Sequence, residues 1–335
     1  EERDARRDQA HDVGGHGRGR FRHAPVSADV VRLIPPGVAL FAAWNVDGAK
    51  MATTLRVKLP KPTGPHARLA EESETALLSL LESMTGEVAV ALHVVEKKSI
   101  GVLNSFRTQE PAKVSNKIKT AIEKLSELAN ADIQSRAATE PGMKGVQITL
   151  KGADAGAHGG VELQGIQIDA TGIPPETLGL VQQILGWPLM IRWAVMDQRV
   201  LVATGAASST SLKEAIDREK DAQPHADAAQ DLKKAADSKA PILASIVPTQ
   251  LARLLLGNLP LTPKVSLERL TQGWQDTPIT ITGRAEKAYI LSGEVPVTAA
   301  DAIGTIGQRL EGVNLKFDES VVPRGGDAPA PPRVK

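Results

Sequence analysis

Residues 87–95 read EVAVALHVV and residues 100–107 read IGVLNSFR, and this pair decides the fold. Val88, Val90, Leu92 and Val94 alternate with Glu87, Ala89, Ala91 and His93. A period of two marks a strand, because successive side chains leave opposite faces. The charged stretch Glu96–Ser99 predicts a turn, so the two runs form a hairpin. Pro111 then stands where a helix can open, since the first helical N–H has no partner to lose. Val114, Ile118, Ile122 and Leu125 follow at helical spacing and mark a buried stripe.

The same grammar returns twice. Met190–Val195 and Val200–Thr204 flank the turn Met196–Arg199 and lead into a helix at Ser208–Glu219, expected to be capped by Ser or Thr. Pro278–Ala285 and Ala288–Val295 flank Glu286-Lys287 and lead into Thr298–Leu310, with Ile303, Ile306 and Leu310 on one side. Three such units predict an α+β protein: antiparallel sheets with helices packed on one face, built from repeated β-β-α units. Further strands are expected at Val38–Val46, Val146–Leu150, Val161–Ile168 and Pro241–Val247. Helices are expected at Ala67–Met84, Pro174–Leu185 and Thr249–Gly257. Glu71, Glu72 and Glu74 suit the positive end of the helix they sit in.

Composition shifts divide the chain. Residues 1–27 are charged and Gly-rich, too poor in apolar side chains to offset their ordering entropy, and read as a flexible arm. Residues 28–220 form a first α+β subdomain. Residues 221–240 are a polar, Ala-rich linker or exposed helix, and 241–317 form a second, smaller subdomain. Residues 318–335 mix Pro, Gly and charge, and read as a disordered tail.

Composition also limits chemistry. Lys and Arg number 40 against 39 Asp and Glu, which removes any whole-chain electrostatic case for nucleic acid. There is no cysteine, so disulfides, thiolate metal sites and cysteine nucleophiles are excluded. Aromatic residues are 3%, too few for a base-stacking platform. The longest apolar run, Val38–Trp44, is far short of the ~20 residues that span a bilayer, so no transmembrane segment is expected. The chain opens on Glu1, as either a trimmed or a processed chain would.

No phosphate-binding loop, dinucleotide fingerprint or zinc-finger spacing is present, and no cofactor or metal is expected. His158 within Ala157-His158-Gly159-Gly160 lacks the Gly-x-Ser-x-Gly elbow that an esterase oxyanion loop needs, so a Gly-rich turn is the plainer reading. His93 shares its strand face with Ala89 and Ala91 and is expected to face solvent or a helix edge. Trp44, Trp187 and Trp193 are core candidates, with a ligand or partner surface as their functional alternative. Arg18, Arg20 and Arg22 in the arm are candidates for contact with an anionic membrane surface.

Leu33-Ile34-Pro35-Pro36-Gly37 ahead of a strand, Thr85–Leu92, and Trp193–Thr204 with its Asp197-Gln198-Arg199 turn resemble a large group of uncharacterised exported bacterial proteins, known only as a domain of unknown function. The resemblance covers roughly residues 28–220 and, more weakly, 240–317. In that group a signal or anchor precedes a repeated α+β ectodomain, and no such anchor is visible in this sequence. The resemblance implies an envelope-located, non-enzymatic protein and carries no catalytic residue with it.

The expected function is therefore binding or scaffolding in the bacterial periplasm or envelope, with the cytoplasm as second location. The partner is a protein or an apolar ligand. A carrier holding an apolar ligand between sheet and helices would show a continuous apolar cavity. A hydrolase built on His93 or His158 would show a His within reach of an acid and of a Ser or Thr.

Overall fold

A computed structural model describes residues 25–95, 99–153, 156–173, 186–221, 232, 240–257, 272–273, 275–285, 289–301 and 303–304. The arm with Arg18, Arg20 and Arg22, the expected helix at 174–185, the terminal tail and Ile306 with Leu310 lie outside the described residues.

Eleven strands make the sheet. They are β1 (Val38–Asp47), β2 (Met84–Val95), β3 (Ser99–Thr108), β4 (Gln147–Gly152), β5 (Ala157–His158), β6 (Val161–Thr171), β7 (Leu189–Met196), β8 (Arg199–Thr204), β9 (Ile242–Ile246), β10 (Ile279–Ala285) and β11 (Tyr289–Glu294). Their spatial order is β11-β10-β9-β1-β2-β3-β8-β7-β6-β4, with β5 paired to β6. Every pairing is antiparallel. β9 pairs with β1, so strands from 28–220 and from 241–317 stand in one sheet.

Among the described residues the helices are α1 (Gly48–Lys58), α2 (Ala67–Glu82), α3 (Pro111–Arg136), α4 (Ser208–Lys220) and α5 (Pro248–Gly257), with a 3-10 turn at Ala28–Leu33 and helical backbone also at 297–301 and 303–304, where the sequence predicts a helix. Pro111 sits in the first turn of α3, as its missing N–H predicts. α1 was not expected: it buries only Gly48 and Ala52 and so shows little apolar periodicity. α4 begins after Ala207 without a side-chain cap, and Ser208 instead accepts a hydrogen bond from Arg192 at 2.9 Å. Glu72 lies past the first turn of α2, where it accepts from Lys124 of α3 at 3.0 Å.

The helices occupy both faces of the sheet, not one. Trp193 and Ala194 are neighbours on β7 and leave it on opposite sides. Trp193 packs with Val114 and Ile118 of α3, while Ala194 packs with Leu212, Ala215 and Ile216 of α4. α2 joins the α3 side through Leu80. α5 sets Leu251 and Leu254 against Leu92 and Val94, on that same side. Leu232 and Ala240, in the stretch expected as a linker or exposed helix, are buried in the α4-side core. Ile303, expected on a buried stripe, is 48% exposed.

β4 is a terminal strand with an open outer edge. The Asn130 carboxamide of α3 fills part of it, accepting from the Ile148 N–H at 2.7 Å and donating to the Ile148 C=O at 2.8 Å. This side chain stands in for a neighbouring strand and blunts an edge that would otherwise invite pairing.

Two outcomes follow for stability. Asn130→Leu strands both Ile148 groups and lowers the free energy of urea unfolding by about 1–3 kcal/mol. Ile216→Ala, at a fully buried position, costs about 2–5 kcal/mol, while exposed Lys213→Ala costs under about 0.5.

Candidate functional site

The sheet's α3 side builds a groove. Val114, Ile118 and Ala121 anchor α3 onto the sheet. Lys119 and Glu123 lie on the flank of that stripe and overhang β4 and β6. Beneath them the floor is Leu150, Ile166, Gln164 and the edge of Trp193, enclosing about 610 Å³. That volume falls in the range of small-molecule sites, about 300–1,000 Å³. Gly152 keeps the floor low: a Cβ there would meet nothing within 4 Å. The groove lies between the sheet and a helix and is open to solvent, with Glu162 joining Lys119 and Glu123 at its rim.

A polar relay underlies the floor. Trp193 Nε1 donates to Ser115 Oγ at 2.6 Å, and the Ser115 hydroxyl donates to Gln164 Oε1. Trp193 itself is 2% exposed, so its ring belongs to the core and only borders the groove. Trp44 is half-buried on β1, four strand spacings away on the same side of the sheet, about 19 Å at the usual inter-strand distance. Trp187 is half-buried just before β7. The fold gathers no surface from Trp44 and Trp193 together. Ser115 and Gln164 drew no notice in the sequence. The signal was there in Gln164, a polar residue between the apolar positions of Leu-Gln-Gly-Ile.

His93 is 3% exposed, and the expectation that it faces solvent is overturned. Its strand face lies beneath α4. His93 Nε2 and Ser211 Oγ are 3.2 Å apart. The ring also lies over Gly101 of β3, where a Cβ would fall 2.3 Å from Nε2. The nearby Arg218 is 5% exposed, and its Nε and Nη2 are buried without a hydrogen-bond partner. Burial, reinforced by the Arg218 charge, pushes the His93 imidazole down to about 4.

At the far end of α4 a buried ion network ties helix to sheet. Arg199 Nε donates to Glu219 at 2.9 Å and Arg199 Nη1 to Ser105 at 3.2 Å. Glu87 stands 3.6 Å from Arg199 and 3.3 Å from Arg107, and accepts from the Ser27 N–H.

His158 reaches Asp217 of α4 through Nε2, at 2.9 and 3.0 Å from the two carboxylate oxygens. Thus His158 has an acid and His93 has a hydroxyl. Among the described residues, neither histidine is hydrogen-bonded to both. Among the described residues no group of three or more His, Asp or Glu is placed to hold a metal ion, and no helix is long and apolar enough to cross a membrane.

No family model matches the chain, and no curated protein or solved structure matches it.

His93 gives a pH dependence whose sign is fixed. Its folded value lies near 4 and the unfolded one near about 6.5. As pH falls, the unfolded chain takes the proton first. Stability is therefore full above about 6.5 and lost progressively as pH falls toward the folded value. The loss is on the order of 3 kcal/mol. Denaturant unfolding of the wild-type chain minus that of His93→Gln isolates this slope from the carboxylates. Equal pH profiles for the two chains would refute the assignment.

Proposed function

We propose that this chain acts by binding rather than by chemistry, as a binding or scaffolding protein of the bacterial envelope, and that the α3 groove is its binding seat. The observation that carries the reading is the groove itself. It is a recess of about 610 Å³ between helix and sheet, with Leu150, Ile166 and Gln164 in its floor and charged residues at its rim. The division of acid and hydroxyl between two separate histidines supports binding over hydrolysis. The envelope location rests on the resemblance of the 33–37, 85–92 and 193–204 segments to exported proteins.

A second reading, a carrier of an apolar ligand, gains from the same groove, which lies where such a ligand would lodge. The charged rim and open mouth favour a ligand with a polar end over a wholly apolar one.

The fold offers a further support for descent from a repeated unit. β1–β3 and β9–β11 each run from a strand through helix into a hairpin, with two helices, α1 and α2, in the first and α5 described in the second, and α2 and α5 lie on the same side of the sheet. The β-β-α repeat is not supported in the same way: the helices after the β2–β3 and β7–β8 hairpins, α3 and α4, take opposite sides of the sheet.

Gly152→Trp fills the groove without straining the backbone, since the site is open and its φ is not left-handed. An NMR fragment screen of the wild-type chain is expected to yield ligands that shift the Trp193 indole N–H. Gly152→Trp should weaken those ligands about tenfold or more, the size of a single lost anchoring contact. Hits that cluster elsewhere, or that Gly152→Trp leaves unchanged, reject the groove. Turnover of p-nitrophenyl esters that disappears in His158→Ala or His93→Ala rejects the non-enzymatic reading.

A further inference from the structure

The relay beneath the groove fixes the polarity of its floor. An indole N–H only donates, so Ser115 Oγ must accept from Trp193. The Ser115 hydroxyl hydrogen goes to Gln164 Oε1. With the oxygen of the carboxamide held in this way, its nitrogen is the end left for the groove. That nitrogen carries two N–H groups and has no partner among the described residues, and Gln164 lines the recess. At the rim Lys119 is paired with Glu123 at 3.8 Å, while Lys151, next to Leu150 on β4, leaves the strand on the opposite face. The floor donor therefore decides which end group is accepted.

We infer that the groove selects a small amphipathic molecule that presents a carboxylate or amide oxygen to the Gln164 amide and lays an apolar chain along Leu150 and Ile166. This deepens the binding reading and rests on it. A ligand ending in an ammonium group brings donors to a donor and leaves the Gln164 N–H groups desolvated and unpaired. Such a mismatch is penalised more heavily than the matched bond is rewarded. A free monocarboxylate and a neutral amide share the required oxygen, and they separate by whether the negative charge adds to binding.

Isothermal titration of the full chain with octanoate, octanamide, octanol and octylamine tests this. In the wild-type chain octanoate and octanamide should bind about tenfold or more tighter than octylamine. Octanoate ahead of octanamide points to an acid, and parity points to an uncharged acyl group. Gln164→Glu keeps an acceptor for Ser115 and replaces the free N–H groups with a second acceptor, so the preference should reverse toward octylamine. Gly152→Trp should weaken all four. Octylamine binding as tightly as octanoate to the wild-type chain, with Gly152→Trp still blocking both, overturns the ligand class and leaves the groove as a binding seat. An unchanged order in Gln164→Glu overturns the role of Gln164. Failure of all four to bind overturns the ligand class as well, and the fragment screen then judges the groove alone. The order among the four ligands in the wild-type chain is a test that needs no variant.

Discussion

α4 seats on β8, β7 and β3, where Ala194 and Ala203 leave room for it between Leu103 and Leu201. Ala43, Ala89, Ala91, Ala194 and Ala203 all pack in the core that receives Leu212, Ala215 and Ile216. Larger side chains there would hold the helix off and leave voids, which interiors do not tolerate without loss of stability. Close seating covers the central strands from one side, while α2, α3 and α5 cover them from the other. The α4 side of the central strands is fully buried, whereas Ala42, Val90, Asn104 and Val202 on the other side are half-buried. The recess described above lies toward the β4 end, beneath α3.

The buried polar groups on the α4 side serve position more than energy. Leu212, Ala215 and Ile216 form a smooth apolar stripe, and hydrophobic contact is not directional. Arg199, held by Glu219, Ser105 and Glu87, fixes the end of α4 in one register. A buried ion network of this kind contributes little net stability against an apolar replacement, yet breaking one member is costly. His93 and Arg218 are the exception within the same layer. Both are buried; Arg218 pairs with Glu214 of its own helix at 3.4 Å but, among the described residues, lacks partners for two of its nitrogens, and its charge adds to burial in disfavouring the imidazolium. Acid therefore acts on this layer through His93.

The strands were legible because alternation survives in short windows: β2, β3, β7, β8, β10 and β11 all fall where the period-two runs placed them. The faces were not legible. Ala89 and Ala91 beside His93 look like the weaker, solvent-side half of an amphipathic strand. They are instead the closely packed half, and alanine reports helix approach as readily as exposure. Helices on both sides follow from the same ambiguity, since Val88, Val90 and Leu92 identify one buried face and say nothing about the other. The floor of the groove was out of reach for a different reason. Ser115 and Trp193 are 78 residues apart and Ser115 and Gln164 are 49 apart, so only the sheet order brings them together.

The groove's dimensions trace to a mismatch between one helix and the sheet under it. α3 has 26 residues and extends about 39 Å at the usual helical rise. It is pinned near its start by Val114 and Ile118 and touches the outer edge of β4 through Asn130. Between those points it bridges β6 and β4, where Gly152 offers no side chain to fill the gap. Gly165 is small for another reason: a Cβ there would lie 3.1 Å from both Ala153 and Arg192, so it allows close strand packing and does not widen the recess. The volume of the site is thus governed by Gly152, and its polarity by the Ser115-held Gln164. These two determinants are separable, because filling the space removes every ligand while reversing the carboxamide changes which ligand is preferred.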